Sequence, residues 1–236
     1  MADRSTGEAE VAHADPRTPR APMLILVRRA PMLILVRHGR TSANAAGLLQ
    51  GRVDNELDEV GVQQADQIAA ALSRGDHRPD RIVSSPLLRA RQTADATSEL
   101  LGLEMSIDER WSELDYGEWD GIPISEVRAE MWGQWRADPG FTLPGGESLA
   151  ALNVRVAAAC DVVAAEAAEL NIAVFTHVSP IKSAVRWALG TAEEIGWRMH
   201  VAQAQITRIG FRSGAPVLSA FNDTSHLEPG GPRTSS

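Results

Sequence analysis

The chain turns abruptly from apolar to polar within the sequence LVRHGRTSAN, residues 35–44. The run Met32–Arg37 is short and continuously apolar up to its last residue, as expected for a strand that is buried on both faces. Arg37, His38 and Gly39 then place a cation, an imidazole and a residue without a side chain next to one another. A histidine that attacks phosphorus needs a cation for the phosphoryl oxygens and room near the backbone. The decapeptide therefore indicates a nucleophile, His38, and a phosphorylated substrate.

Helical patterns alternate with further strand-like runs along the chain. This order predicts an α/β fold, namely a three-layer α/β/α sandwich around a doubly wound, mostly parallel sheet. The predicted helices cover 63–72, 86–101 and 179–190, the further strands cover 81–85 and 172–175, and a hairpin of 206–211 and 217–221 turns at Ser213-Gly214.

Ser-Pro pairs mark the predicted beginnings of two helices. Ser85 is a favourable N-cap residue and Pro86 suits the first helical position. Ser179 and Pro180 repeat this pattern, and Gly190 is predicted to end the second of these helices.

Polar residues stand at the carboxyl ends of three predicted strands. Arg37-His38 ends the first strand, 84–89 follows the second, and Thr176-His177 ends the third. Doubly wound sheets bind their ligands at this edge. The sequence therefore predicts that His38, Arg89 and His177 meet in one crevice.

Cleavage of a phosphomonoester by a histidine sets requirements that this chain can meet. The attacking imidazole must be neutral, with its other ring nitrogen held by a hydrogen bond that fixes the tautomer. Donors must hold the non-bridging oxygens, and the leaving alkoxide needs a proton. The candidates are His38 as nucleophile, Arg37 and Arg89 as clamps, His177 as a second imidazole donor, the carboxyl-rich stretch 113–121 as the acid, and the backbone N–H groups after Ser179.

The motifs resemble, in order, those of the histidine phosphatase superfamily, which has the phosphoglycerate-mutase-like fold. The matching positions run from about residue 32 to 226 and so cover nearly the whole predicted domain. They are Arg37-His38-Gly39-x-Thr41-x-x-Asn44, Gln50-Gly51, Ser84-Ser85-Pro86-Leu87-x-Arg89-Ala90-x-Gln92-Thr93-Ala94, Leu114/Tyr116-Gly117-x-Trp119-x-Gly121, and Thr176-His177.

The resemblance implies a role for each matched residue. His38 becomes phosphohistidine, and Arg37, Arg89 and His177 complete the phosphate pocket. Glu113, four residues before Gly117, stands at the position of the general acid/base, with Asp115 and Glu118 as competitors for that role. The reaction needs no metal and no other cofactor. The predicted substrate-binding residues are Gly39, Thr41, Asn44, Gln50 and Gly51.

Two departures from the family pattern accompany this resemblance. Arg40 stands where an acidic residue or Gln is frequent, and adds a cation at or near the mouth of the pocket. Many members have glycine after the second histidine, whereas this chain continues with 178–182, Val-Ser-Pro-Ile-Lys. Together with 144–148 and 222–227, this segment looks most like the branch of α-ribazole-phosphatase-like enzymes and broad-specificity acid phosphatases.

A tryptophan-containing segment, 122–141, is the predicted specificity element. Ser125 is predicted to cap a short amphipathic helix there. Helically spaced apolar residues most often pack in a core, and a lid over the leaving group is the alternative, which would favour substrates with an apolar or ring portion. The stripe consists of Val127, Met131 and Trp135, with Trp132 beside it.

Composition excludes several classes of partner. The formal net charge of −8 argues against nucleic acid, and no apolar run approaches the roughly 20 residues that cross a bilayer. The single cysteine, Cys160, is predicted to pack in the core and fits a reducing cytoplasm. The expected partner is a small phosphate ester, and a homodimer is compatible with the sequence.

The N-terminal region is set apart from the predicted domain. Residues 1–31 are polar at first, and the segment APMLILVR occurs twice, at 21–28 and 30–37. Only the second copy continues into His38. The sequence therefore predicts a disordered extension over 1–31, a histidine phosphatase domain over 32–228 and a flexible tail over 229–236.

The leading function is that of a metal-independent phosphomonoester hydrolase, a phosphatase of the histidine acid phosphatase type (EC 3.1.3 class). A phosphoglycerate mutase is the alternative, and a non-catalytic phosphate-binding scaffold is a third. A zinc hydrolase has no support, since neither His-Glu-x-x-His nor paired cysteines occur. The substrate stays open among α-ribazole 5′-phosphate, sugar phosphates, nucleotides and phosphorylated glycerates. His226 is predicted to be structural, and His13, His77 and His200 lie outside any motif.

Overall fold

The computed structural model describes residues 31–74, 77–166 and 169–227. The first APMLILVR copy and the predicted C-terminal tail lie outside these residues. Apart from Pro31, so does the predicted extension. The predicted boundaries of the domain therefore stay predictions.

Six strands of the described chain form one mixed sheet. Its order is β3-β2-β4-β1-β5-β6, with β3–β2, β2–β4 and β4–β1 parallel, and with β5 antiparallel to both of its neighbours. The predicted mostly parallel sheet and the C-terminal hairpin are confirmed. The strands are β1 (Met32–Arg37), β2 (Arg81–Ser84), β3 (Met105–Ile107), β4 (Ile172–Thr176), β5 (Ile206–Arg212) and β6 (Ala215–Asp223).

The α-helices of the described residues are α1 (Ser42–Ala45), α2 (Glu59–Arg74), α3 (Leu88–Leu101), α4 (Ala129–Ala137), α5 (Leu149–Glu166) and α6 (Val178–Leu189). Short 3-10 turns cover Glu109–Trp111, Gly117–Trp119, Ile124–Glu126 and Glu193–Arg198. The sequence analysis missed β3 and the long helix α5, whose alanine-rich sequence has only a weak apolar stripe.

Helices cover both faces of the sheet because the side chains of β1 alternate between two cores. Leu33 and Leu35 pack with apolar residues of α5 and α6, including Cys160, which is buried as predicted. Ile34 and Val36 pack with those of α2 and α3. The three-layer α/β/α sandwich is thereby confirmed. Each buried Leu or Ile contributes about 1.5–3 kcal/mol relative to an exposed position.

The predicted beginning of α3 is wrong by two residues. α3 begins at Leu88, and its N-cap residue, Leu87, makes no side-chain capping bond. The Oγ of Ser85 accepts the N–H of Leu87 at 3.3 Å and also lies 2.8 Å from Nε2 of His177, the residue that follows β4. The carboxylate of Asp54, from a distant loop, accepts the N–H of Leu88 at 2.5 Å instead.

Three further helix beginnings differ from the prediction. α2 begins four residues before the predicted position because the carboxylate of Asp58 accepts the N–H of Gly61 at 2.8 Å. Ser125 lies in a 3-10 turn, and α4 begins later, at Ala129, without a side-chain cap. α6 begins one residue before the predicted Ser179, since a carboxylate from another segment accepts its first N–H groups.

The turn after β1 touches the first turn of α2 through backbone atoms. A Cβ on Gly61 would stand 2.0 Å from the carbonyl oxygen of Arg40, and a Cβ on Gly39 would stand 2.5 Å from that of Gly61. The N–H of Arg40 also donates to Oε1 of Gln64 at 2.8 Å. Both glycines are therefore required by the close approach of two backbones.

Replacement of Gly61 by alanine should destabilise the protein by about 1–3 kcal/mol, because the added methyl group must displace backbone rather than a flexible side chain. Urea unfolding followed by circular dichroism measures this change. Gly133→Ala is the matched control: this glycine also lies in a helix, an added Cβ meets nothing within 4 Å, and alanine should stabilise the protein by up to about 1 kcal/mol. Equal effects of the two substitutions would contradict the packing argument.

Candidate active site

The order of the sheet brings the predicted site residues together at one edge. β2, β4 and β1 are neighbours, so the residues that follow them meet at their carboxyl ends. The rings of His38 and His177 have centroids 5.1 Å apart, and both residues are buried. Arg89, in the first turn of α3, is completely buried and close enough to lower the pKa of both imidazoles. The predicted crevice thus contains two imidazoles and a guanidinium group.

His38 is held in one tautomer by its own turn. Its Nδ1 lies 2.7 Å from the carbonyl oxygen of Gly39, which can only accept, so Nδ1 carries the proton and Nε2 has a free lone pair. Burial lowers the pKa of His38 well below 6.5, and the charges of Arg89 and Arg37 lower it further. The imidazole is therefore neutral and can attack through Nε2.

His177 has the complementary arrangement. Its Nε2 bonds to Oγ of Ser85, and this oxygen already accepts the N–H of Leu87 at 3.3 Å. The hydroxyl proton of Ser85 can be donated to Nε2, and in this arrangement His177 carries its own proton on Nδ1. Nδ1 is buried and has no partner. Burial and the charge of Arg89 lower the pKa of His177 well below 6.5, so it acts as a neutral donor.

The two arginines are fixed by backbone carbonyl groups. Nη1 of Arg37 donates to Val201 at 2.7 Å. Arg89 donates from Nη1 to Val53 and from Nη2 to Gly51, each at 2.8 Å. Burial lowers the pKa of Arg37 to about 10, with Glu113 opposing this effect, and lowers the pKa of Arg89 for the same reason. Both guanidinium groups stay charged at neutral pH and are oriented before any ligand arrives.

Asp120, which the sequence analysis missed, holds the loop that positions Arg89. Its carboxylate accepts the N–H groups of Gly51, Arg52 and Val53, at 2.7 Å for Arg52 and 3.2 Å for Val53. The carbonyl groups of the same loop bind Arg89. The only signal in the sequence was its place inside the motif from Tyr116 to Gly121, which gives no hint of its partner.

Thr41 and Asn44 act first on local structure. They form a capping box at the start of α1, and Oγ1 of Thr41 also donates to Oε1 of Gln50 at 3.0 Å. The amide oxygen of Gln50 further accepts from Asn55 at 3.2 Å. Because this oxygen is occupied, the Nε2 group of Gln50 is left buried without a partner. Thr41 thus orients Gln50.

Four buried donors of this cluster have no acceptor among the described residues: Nε of Arg37, Nε of Arg89, Nε2 of Gln50 and Nδ1 of His177. A buried polar group without a partner costs about 1–3 kcal/mol. Their concentration beside a neutral imidazole indicates that a ligand rich in acceptors belongs here. An anion with several oxygens fits this requirement.

Glu113 lies at the beginning of α6. Its carboxylate accepts the N–H of Val178 at 3.0 Å, that of Ser179 at 3.2 Å and that of Leu114 at 2.7 Å. Glu113 is 4% exposed and lines the cavity described below. Its competitors lie elsewhere, since Asp115 bonds to the N–H of Gly117 at 2.8 Å and Glu118 is exposed. The geometry favours Glu113 among the three carboxylates.

A cavity of about 330 Å³ opens beside His38. Arg37, Asn44, Gln50 and Glu113 also line it, whereas Arg89 and His177 lie behind its wall. Apolar and aromatic side chains line it as well, among them Leu48, Leu49, Tyr116, Ile124, Trp132 and Trp135. The core reading of the tryptophan segment is confirmed for Trp135, which also borders the cavity with Trp132, and a lid over the leaving group stays a prediction.

Three predicted binding residues and Arg40 do not border this cavity. The N–H of Gly39 donates to Thr93 at 3.0 Å, and Thr41 and Gly51 are bonded as described above. The absence of a side chain on Gly39 leaves room for the backbone of Gly61, and its role in substrate binding stays a prediction. Arg40, expected at the mouth of the pocket, forms an ion pair with Asp58 at 2.7 Å.

Two further observations concern the described residues alone. No helix there is both long and apolar enough to cross a membrane. No group of three or more His, Cys, Asp and Glu side chains there could hold a metal ion.

Comparison with known proteins gives a family match over most of the chain. The family model described as histidine phosphatase superfamily (branch 1) matches residues 33–224. The chain is 33% identical over 208 residues to phosphoserine phosphatase 1 of Hydrogenobacter thermophilus, which covers 86% of this chain and 93% of that relative. It is also 30% identical over 201 residues to a probable phosphoglycerate mutase of Yersinia pestis. This match covers 81% of this chain and 92% of that relative.

The chain spans about half, 53%, of the length of the mycobacterial proteins that it matches at 31% identity over 194 residues. Among solved structures, it resembles a phosphoserine phosphatase mutant from Entamoeba histolytica in complex with phosphoserine. The TM-score is 0.76 at 29% identity, and the match covers 84% of this chain and 99% of that one. That neighbour binds a small phosphate ester.

We expect both imidazoles to titrate well below pH 6.5, because burial and the arginines disfavour their charged forms. NMR titration of the ring protons measures this, with His38→Gln and His177→Gln to assign the signals and the urea-unfolded chain as the reference. The unfolded chain binds protons near pH 6.5 while the folded one does not, so the free energy of unfolding should decrease as pH falls below 6.5. A midpoint at or above 6.5 for either ring in the folded protein would contradict the geometry.

Proposed function

Since the chain belongs to the histidine phosphatase superfamily, we propose that it hydrolyses phosphomonoesters through a phosphohistidine intermediate on His38. The observation that carries the proposal is the set of four unpartnered buried donors around a neutral imidazole with a free Nε2. A phosphoryl group has oxygens for all four donors and an electrophilic centre for Nε2. Its substrates are small phosphorylated metabolites.

The first step transfers the phosphoryl group to the enzyme. The Nε2 lone pair of His38 forms a bond to phosphorus while the ester P–O bond breaks. Arg37 and Arg89 hold the non-bridging oxygens, and Nδ1–H of His177 donates to one of them. Glu113 gives its proton to the leaving oxygen, so that the alcohol departs neutral.

The second step returns the enzyme to its starting state. A water molecule attacks phosphorus, and Glu113, now a carboxylate, takes up the proton that the water loses. The electron pair of the P–N bond returns to His38, and inorganic phosphate is released. The hydrogen bond from Nδ1 to the carbonyl of Gly39 keeps Nε2 directed at phosphorus throughout.

Hydrolysis is preferred to phosphoryl transfer between positions of a glycerate. The family's mutases resemble one another in additional basic residues after the general acid, and this chain has two, Arg128 and Arg136, between Glu113 and Glu147. Of the basic residues between Glu113 and Glu147, Arg136 lines the cavity and Arg128 does not. The Yersinia relative keeps the mutase as a second candidate. A non-catalytic scaffold would lack one of the reacting groups, and all of them are present.

The acid phosphatase type and the α-ribazole branch stay predictions. Relatives of similar length carry the names phosphoserine phosphatase and phosphoglycerate mutase, and both names describe phosphate esters that bear a carboxylate. The activity of the whole protein is part of this proposal.

The full chain should release inorganic phosphate from an aryl phosphate and from a panel of metabolites in the presence of EDTA. His38→Ala should abolish this release, because no other group can attack phosphorus, and the wild type should form a phosphoryl adduct that mass spectrometry at alkaline pH locates on His38. His200→Ala, which removes an exposed imidazole outside the site, should keep full activity.

Failure of the wild type with every ester between pH 5 and 8 would contradict the hydrolase. Phosphoryl exchange between phosphoglycerates, measured on the same samples, would then support the mutase, and its absence the scaffold.

A further inference from the structure

Lys182 is the only lysine of a chain that contains 22 arginines. It lies on α6 and lines the cavity beside the active site. Within the described ranges it makes no hydrogen bond and no ion pair. Burial lowers its pKa, the charge of Glu113 raises it, and the charge of Arg37 lowers it, so the ammonium group lies within electrostatic reach of the phosphate pocket. A half-buried cation without a partner in a cavity wall calls for an anionic ligand.

The helix face around Lys182 is polar although it borders a cavity. Ser179, Lys182, Ser183 and Arg186 follow the spacing of one helical face, and all of them line the cavity. Oγ of Ser183 and Nε of Arg186 are buried and have no partner among the described residues. A wall of this kind is suited to a polar ligand group rather than to an alkyl chain.

Charges elsewhere on the cavity wall limit where an anion can lie. Glu193 and Glu194 line it in the 3-10 turn after α6, beyond Arg186 in sequence. The guanidinium group of Arg136 stacks on the ring of Trp197, 5.4 Å from its centroid. An anion is repelled by the two carboxylates, so Lys182 is the favourable position.

Lys182 lies close to the part of α6 that binds Glu113. Ser179, whose N–H binds Glu113, precedes Lys182 by three residues, or about 4.5 Å along the axis of α6. Glu113, which serves the leaving oxygen in the proposed mechanism, and Lys182 therefore meet α6 within one helical turn of each other. Lysine suits this position because its compact charge sits on a flexible stem, whereas the planar fork of arginine needs more room.

We infer that Lys182 binds a carboxylate on the leaving group of the phosphomonoester, and so selects phosphorylated carboxylic acids. This inference rests on the proposed function, which places the phosphoryl group at His38. Trp132 and Trp135 line the same cavity and can pack against the carbon skeleton of the substrate. Lys182 is thus a residue of substrate recognition that the family motifs do not contain.

Binding of two matched ligands tests the role of Lys182. Phosphoserine and phosphoethanolamine differ only in the carboxylate, and their affinities for the full-length His38→Ala variant can be compared by calorimetry without turnover. Adding Lys182→Met, which keeps the volume, should weaken phosphoserine roughly 10- to 100-fold and leave phosphoethanolamine unchanged within about twofold. Arg136→Met is the control. Because it removes a cation elsewhere on the cavity wall, it should change the affinities for the two ligands by the same factor.

Selective chemistry of the single lysine gives an independent measurement. Phosphoserine should slow the acetylation of Lys182, followed by peptide mass spectrometry, more than phosphoethanolamine does. The α-amino group, the other amine of the chain, is the internal reference and should react at the same rate with either ligand.

If Lys182→Met weakened the binding of both ligands equally, or of neither, the assignment would be overturned and the proposed function would stand. Binding with the expected selectivity but without hydrolysis by the wild type would contradict the phosphatase and support the assignment. No binding of either ligand to the His38→Ala parent would overturn the assignment, while the phosphate release by the wild type decides the proposed function separately.

Discussion

Burial of positive charge at the carboxyl ends of the parallel strands is the constraint on which the site depends. Arg89 is completely enclosed, and its terminal nitrogens are satisfied only by the loop that Asp120 holds in place. The same enclosure, together with this charge, keeps both imidazoles neutral. Neutrality makes His38 a nucleophile and His177 a donor at a pH where an exposed histidine would be partly protonated. The groups that would bind an anion are therefore desolvated and oriented before it enters. Their desolvation lowers the stability of the folded protein in the absence of the anion.

Much of this arrangement could be predicted from the sequence. Apolar runs that end in polar clusters predict the strands. The rule that ligands bind at the carboxyl ends of parallel strands then predicts that His38, Arg89 and His177 lie close together, as the 5.1 Å between the two imidazole rings confirms for the histidines. What could not be predicted is which distant group satisfies a local donor. Ser85 was expected to cap α3, and its hydroxyl, besides accepting the N–H of Leu87, bonds to His177, which is 92 residues away in the sequence. Asp54 and Glu113 cap helices that their own segments do not belong to, and no periodicity reports such contacts.

Gly39 contributes to the site through its backbone. The motif led to the expectation that a missing side chain leaves room for the phosphoryl group. The space is taken by the backbone of Gly61, and the contribution of Gly39 to the nucleophile is its carbonyl oxygen, which fixes the tautomer of His38. Thr41 likewise acts through Gln50 rather than on the cavity itself. A sequence motif of this kind identifies the residues that a site needs. What each residue contacts, and so what it contributes, is shown only by the structure.

The carboxylate of Glu113 has two tasks that compete for the same lone pairs. As long as it is ionised, it anchors the first N–H groups of α6. Each time it carries the proton destined for a leaving group, one oxygen becomes a donor, and that anchorage weakens. Helix α6 also carries Lys182, one turn further on. In the proposed mechanism, Glu113 is protonated before the ester bond breaks and ionised once the alcohol has departed. The anchorage of the helix that carries Lys182 would therefore be weaker before cleavage and stronger after it, so that proton transfer and the position of this helix would be coupled.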